Sequence, residues 1–291
     1  MAGGMQMSLS YRLGSNSLFT RPNEESKKPK RVVFLSTEGT STEVCYFKYI
    51  ERFREQLGID TIVHVEVLRR YDTNSDPGKV LELLEEFVEF REDKIFESKI
   101  DSLNLKKYST EFIKSYLENP ESMSARDRHK FEAVLKEEHI DLLYLDFLNK
   151  YRGDNDAFGI VIDRDGGSHT VEQMNSVIEK CRKKNYLCYI TNPCFEFWLL
   201  LHISDVKTEF AEQLNDILEN KVDTQGNSFV SNLLYDKTGH RKSIQCKTFE
   251  TYYLPNIDAA IERAKFFASE EELVDKIGSN LDQLFTLLRS E

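Results

Sequence analysis

Acids able to do chemistry stand in this sequence where short apolar runs end. Arg31 to Ser36 reads RVVFLS and passes into Thr37, Glu38 and Gly39, while Phe158 to Ile162 reads FGIVI and passes into Asp163, Arg164 and Asp165. If the two ends meet, Glu38 and the Asp-x-Asp pair can hold a hard divalent cation. Magnesium takes oxygen ligands, keeps several waters, and needs only one or two protein carboxylates beside substrate phosphates. Such a cation polarises phosphoryl oxygens and makes a hydroxide nucleophile available. Without metal, clustered carboxylates raise one another's pKa, which suits proton transfer near neutral pH. Residues two apart at a strand end project to the same side, so Asp163 and Asp165 are expected to share one ion. Plainer readings exist: a solvated turn completed by Gly166-Gly167, and for Glu38 an acid favoured by the dipole of the following helix.

The runs that carry these acids read as strands buried on both faces, the pattern of parallel sheets, which bind ligands beyond the carboxyl ends of their strands. Tyr46, Tyr49, Ile50, Phe53 and Leu57 recur at helical spacing between a Ser41 or Thr42 cap and Gly58, and Thr61 to Leu68 alternates as a second strand. Residues 31–76 thus form the first part of an α/β core. From 77 to 150 the character turns helical, with 17 Asp and Glu against 12 Lys and Arg, so an acidic helical insertion is expected there. The core resumes over 151–205 with a strand at 158–162, a helix from Val171 to Cys181 and a strand at 186–190. Asn192 and Pro193 are then expected to cap and open an apolar helix, FEFWLLLH. Residues 206–291 read as a helical region, and residues 1–30 as a disordered tail.

The 291 residues carry a formal net charge of −11, so nucleic acid should be repelled on average, and any such substrate must be drawn in by metal or a local basic face. Lys237, His240, Arg241, Lys242 and Lys247 make the densest basic stretch, and Arg241, Lys242 and Lys247 are candidate phosphate contacts. No run approaches the roughly 20 apolar residues of a membrane span, and the amino terminus lacks a secretory pattern, so the expected location is cytoplasmic. Five scattered cysteines show no zinc spacing. Trp198 and His202 are expected in the core, and His169 exposed.

Taken together, Thr37-Glu38-Gly39, Asp163-x-Asp165 and the string Asn192-Pro193-Cys194-Phe195-Glu196-Phe197-Trp198-Leu199-Leu200-Leu201-His202 resemble the RloB family, a Toprim-domain group. The resemblance covers roughly 31–68 and 155–205. It implies a Toprim-like parallel sheet flanked by helices and a Mg²⁺- or Mn²⁺-dependent nuclease of bacterial antiviral defence, acting on DNA or RNA, with an ATPase as partner. Carried over by position, Glu38 is the general acid or base and a metal neighbour, Asp163 and Asp165 hold the metal, and Glu196 is an additional site acid. Two rivals stand beside this. A non-catalytic sensor or adaptor would keep the fold and bind a nucleotide, nucleic acid or ATPase. A haloacid-dehalogenase-like phosphatase would use Asp163-Arg164-Asp165-Gly166-Gly167 as its nucleophile motif, although that motif normally opens its domain and here a β-α-β unit precedes it.

Overall fold

The computed structural model describes residues 31–59, 63–68, 76–92, 105, 107–137, 142, 155–165 and 169–290. The tail expected over 1–30 and the Gly166-Gly167 turn lie outside them. Two compact units divide the chain. The larger holds the described parts of 29–67, 74–81 and 155–291, and the smaller holds Leu68 and the described parts of 82–154.

The larger unit is built on a five-stranded sheet in the order β2-β1-β3-β4-β5, with β1 Arg31–Thr37, β2 Val63–Leu68, β3 Ala157–Asp163, β4 Leu187–Asn192 and β5 Gly278–Ser279. β1 and β4 both run parallel to β3, but β5 is antiparallel to β4, so the sheet is mixed rather than wholly parallel as the sequence suggested. Two residues are too few to leave a periodic signal, which is why β5 was not read. Gly278 permits the close approach there, since a Cβ would lie 2.2 Å from the Ala268 carbonyl oxygen.

Alternation along the strands separates two layers. Val33, Leu35, Val161 and Tyr189 join one core with helix α1 (Thr42–Arg52) and the later helices, while Phe34, Ile160 and Ile162 are buried on the opposite side. That opposite side meets the first turns of α2 (Pro77–Glu92), where the Ser36 hydroxyl donates to the Val80 carbonyl at 2.8 Å. The smaller unit carries most of α2 with α3 (Thr110–Glu118) and α4 (Ala125–Glu137), closed by ring contacts of Tyr108, Phe112 and Tyr116 with Phe131 at 4.7, 5.2 and 5.0 Å. Ser109 caps α3, accepting from the Phe112 amide.

In the larger unit, α5 (Val171–Lys184) starts in a reciprocal capping box between Thr170 and Gln173. Helix α6 (Phe195–Ile203) is buried from Phe195 through His202, as its lack of a polar face requires. Its cap is Cys194; Asn192 instead ends β4 and donates its side-chain amide to Leu273 O at 2.8 Å. Helices α7 (Phe229–Thr238), α8 (Ile257–Ala264) and α9 (Leu281–Arg289) complete the layer around α6. Trp198 and His202 are core residues, as expected. The Trp198 indole donates to the Tyr46 hydroxyl at 2.9 Å, which sits 3.1 Å from His202 Nε2, and His202 Nδ1 faces Trp198 O at 2.9 Å. A carbonyl only accepts, so Nδ1 carries the proton and Tyr46 donates to Nε2. The ring is neutral, burial holding its pKa down at about 3.

Candidate functional site

The strand register sets the site. Thr37 pairs with Val161 and Asp163 with Thr191, so the carboxyl ends of β1, β3 and β4 reach one rim. β1 connects through α1 to β2 on one side and pairs with β3 on the other, the place where open α/β sheets bind ligands. The Glu38 amide continues the ladder to Val161 O at 2.9 Å, and then the side chain takes over from the backbone: Glu38 Oε2 accepts from the Asp163 amide at 2.9 Å. Glu38 and Asp163 are therefore brought together as expected, from positions 125 residues apart.

Asp163 shares the strand parity of Val161, whose side is the face covered by α1 and α6. Each of these helices contributes an acid from its first turn, Glu43 from α1 and Glu196 from α6, where the helix dipole favours negative charge. Both are buried, at 6% and 4% exposure, and Glu43 Oε1 folds back to accept from the Gly39 amide at 3.1 Å. Glu43 escaped the sequence reading. Its signal was present, because Glu43 lies on the same stripe as Tyr46, Phe47 and Ile50, and an acid on the buried face of an amphipathic helix requires a reason.

The electrostatics bind these groups into one cluster. Burial, then the charges of Glu196 and Glu38, push the Glu43 carboxyl up to about 7, with the Gly39 amide and its own backbone opposing. Burial followed by Glu38, Glu43 and Glu196 raises Asp163 well above the carboxylate range, opposed by the Phe195 amide at the start of α6. Cations are few. Lys242 Nζ stands 3.7 Å from Glu196 Oε1, and its pKa is raised chiefly by that carboxylate. His169 Nε2 stands 3.4 Å from Glu38 Oε1, and its hydrogen bond to Glu38 raises it. His169 is 6% exposed, contrary to the exposed position expected, because the carbonyl of His169 accepts from the buried Arg164 guanidinium at 2.8 Å and its amide donates to Asp165 O at 3.1 Å.

The remaining candidates are more exposed than Glu43 and Glu196. Asp165 is exposed beyond the strand end, and its charge acts on His169. Arg241 stacks over the Tyr235 ring, and Lys247 is exposed on the turn Cys246–Thr248. Of the basic stretch, Lys242 is the residue joined to the acids.

Among the described residues, no group of three or more His, Cys, Asp or Glu side chains is arranged as a metal cage. The donor chemistry nevertheless suits a hard divalent cation: four carboxylates supply oxygen alone, Glu43 and Glu196 buried and Glu38 and Asp163 half-buried, with Lys242 and His169 beside them.

Comparison with known families gives the chain its affiliation. A family model described as RloB-like protein matches residues 33–288, wider than the two segments that carried the resemblance. The chain belongs to the RloB-like family. No curated protein and no solved structure matches it. Among the described residues, no helix is long and apolar enough to cross a membrane.

Proposed function

We propose that this RloB-like protein is a Toprim-type nuclease of antiviral defence that cleaves phosphodiester bonds in DNA or RNA with Mg²⁺ or Mn²⁺, with an ATPase as partner. The observation that carries this reading is the convergence of Glu38, Glu43, Asp163 and Glu196 at the β1–β3 rim. When bound, a divalent cation supplies charge neutralisation for the phosphate and lowers the pKa of a water nucleophile. Asp163, Glu43 and Glu196 are the oxygen donors that would hold it. Glu38 is held by the Asp163 amide and by His169, and its Oε1 exchanges a proton with the attacking or leaving oxygen. Lys242, released from Glu196, meets a phosphate oxygen.

A specific observation gives weight to the adaptor reading: both Glu38 oxygens already have partners, and the described acids form no cage. One experiment separates the readings. Purified protein is incubated with labelled DNA, total RNA and tRNA in Mg²⁺, Mn²⁺ or EDTA, with and without its ATPase partner. Cleavage that needs the cation and falls at least about a hundredfold in Glu38→Gln and Asp163→Asn is expected, the scale of losing a proton-transfer group. No cleavage in any condition favours the adaptor. Phosphatase activity that survives Glu38→Gln would favour the dehalogenase-like chemistry.

A further inference from the structure

The residue before Lys242 takes part in a surface feature that the rim does not require. Tyr235, on the last turns of α7, is 44% exposed, so its ring is open to solvent rather than packed in the core. The Arg241 guanidinium lies over it, 4.1 Å from the ring centroid. This stack is held in place. Arg241 Nε and Nη2 both donate to Asn232 Oδ1 at 3.3 Å, and the Asn232 amide donates to Asp223 Oδ2 at 2.8 Å. Asn232 and Tyr235 are three apart on α7 and so lie on one face of it.

The turn that carries Arg241 is equally fixed. Gly239 closes α7 at φ +74°, and the Thr238 hydroxyl accepts from the His240 amide at 3.0 Å. The Lys242 carbonyl then accepts from the Thr42 hydroxyl at 2.8 Å, tying the turn to the start of α1 beside Glu43. Two successive residues thus serve two places. Arg241 lies on Tyr235, and Lys242 reaches Glu196 at 3.7 Å. Their Cα atoms are about 3.8 Å apart.

We propose that the Tyr235–Arg241 stack is a platform for one unpaired base of a single-stranded nucleic acid, whose phosphate is handed by Lys242 to the carboxylate cluster. An aromatic ring or a guanidinium plane stacks with the exposed face of any base, but a base paired inside a duplex offers no such face. The pre-ordered arginine adds positive charge where an acidic protein needs it. The proposal rests on the nuclease reading for the fate of the phosphate, and it adds a strandedness that the rim itself does not specify.

The test uses the full chain carrying Glu38→Gln, so that the strand survives, in Mg²⁺. Probes are a fluorescent single-stranded RNA and DNA of mixed sequence, their duplexes, and single strands with one 2-aminopurine, whose emission falls when it stacks. Single strands should bind at least about tenfold more tightly than duplexes, with quenching at one position. Adding Tyr235→Ala should weaken single-strand binding about tenfold and abolish the quenching, and Tyr235→Phe should restore both. Equal affinity for duplexes, no binding at all, or binding and quenching unchanged by Tyr235→Ala would overturn the platform. Tyr235→Ala is checked for an unchanged melting temperature, which its exposure leads one to expect. A protein that binds through Tyr235 but never cuts would sink the nuclease alone; one that cuts yet ignores Tyr235 would sink the platform alone.

Discussion

Glu43 concentrates the physics of the rim in one side chain. A carboxyl pushed from 4.5 to about 7 keeps its proton to higher pH in the folded chain than in the unfolded one. Folding is therefore favoured by this group below about pH 4.5, and the advantage is lost as pH rises through 7. The loss amounts to about 3 kcal/mol at most, shared with the neighbouring acids. In EDTA, urea denaturation of the wild type should show stability declining from pH 5 to pH 8, and Glu43→Gln should flatten that decline and be the more stable protein at pH 8. Parallel pH profiles for the two proteins would remove Glu43 from the cluster. His202 works in the opposite sense, since burial depresses it to about 3, so its contribution is lost as pH falls from 6.5. At the residue level Glu38 and Asp163 could be read from the sequence because each follows a strand, and Glu196 through the resemblance of its string to the RloB family. Glu43 could not be read from its neighbours along the chain alone, since its importance comes from facing Glu196 and Asp163, which are 153 and 120 residues away.

The elements were legible to the extent that they are long and periodic. β1, β3 and β4 lie within two residues of the apolar runs that announced them, and α5 begins at the expected Val171. The start of α6 was displaced because Asn192 is spent on Leu273 O rather than on the helix amides, a tertiary demand that local propensity cannot reveal. β5 was missed altogether, yet it completes the sheet next to β4, and its neighbour Asn280 gives its side-chain oxygen to the Ile190 amide at 2.7 Å and its amide to Cys188 O at 2.9 Å. Its glycine is the sensitive point. In Gly278→Ala the new methyl meets backbone at 2.2 Å, and loss of about 3 kcal/mol or more is expected. Gly159→Ala, 2.9 Å from Leu187 Cβ and 3.2 Å from its carbonyl oxygen, should cost less, about 1–3 kcal/mol. Chemical denaturation of both variants checks the order; a milder Gly278→Ala would mean that β5 is not held by this contact.

For the whole molecule, charge decides how a polyanion can approach. At −11 overall, the proposed nucleic-acid substrate is met by the short stretch of Arg241, Lys242 and Lys247. With Arg241 given to the base, Lys242 and Lys247 leave two phosphate contacts on a single strand, so log K should fall against log salt with a slope of only about −1.4. Fluorescence anisotropy from 50 to 300 mM salt in Mg²⁺ measures it, and a slope twice as steep would point to a second basic surface. The same rim draws on positions 38, 43, 163, 196 and 242, and the hydroxyl of Thr42 is bonded to a carbonyl 200 residues later. Such a centre stays incomplete on a nascent chain until Lys242 has been made. Under the proposed nuclease reading, this late assembly would spare the messenger and the ribosome that are producing the chain.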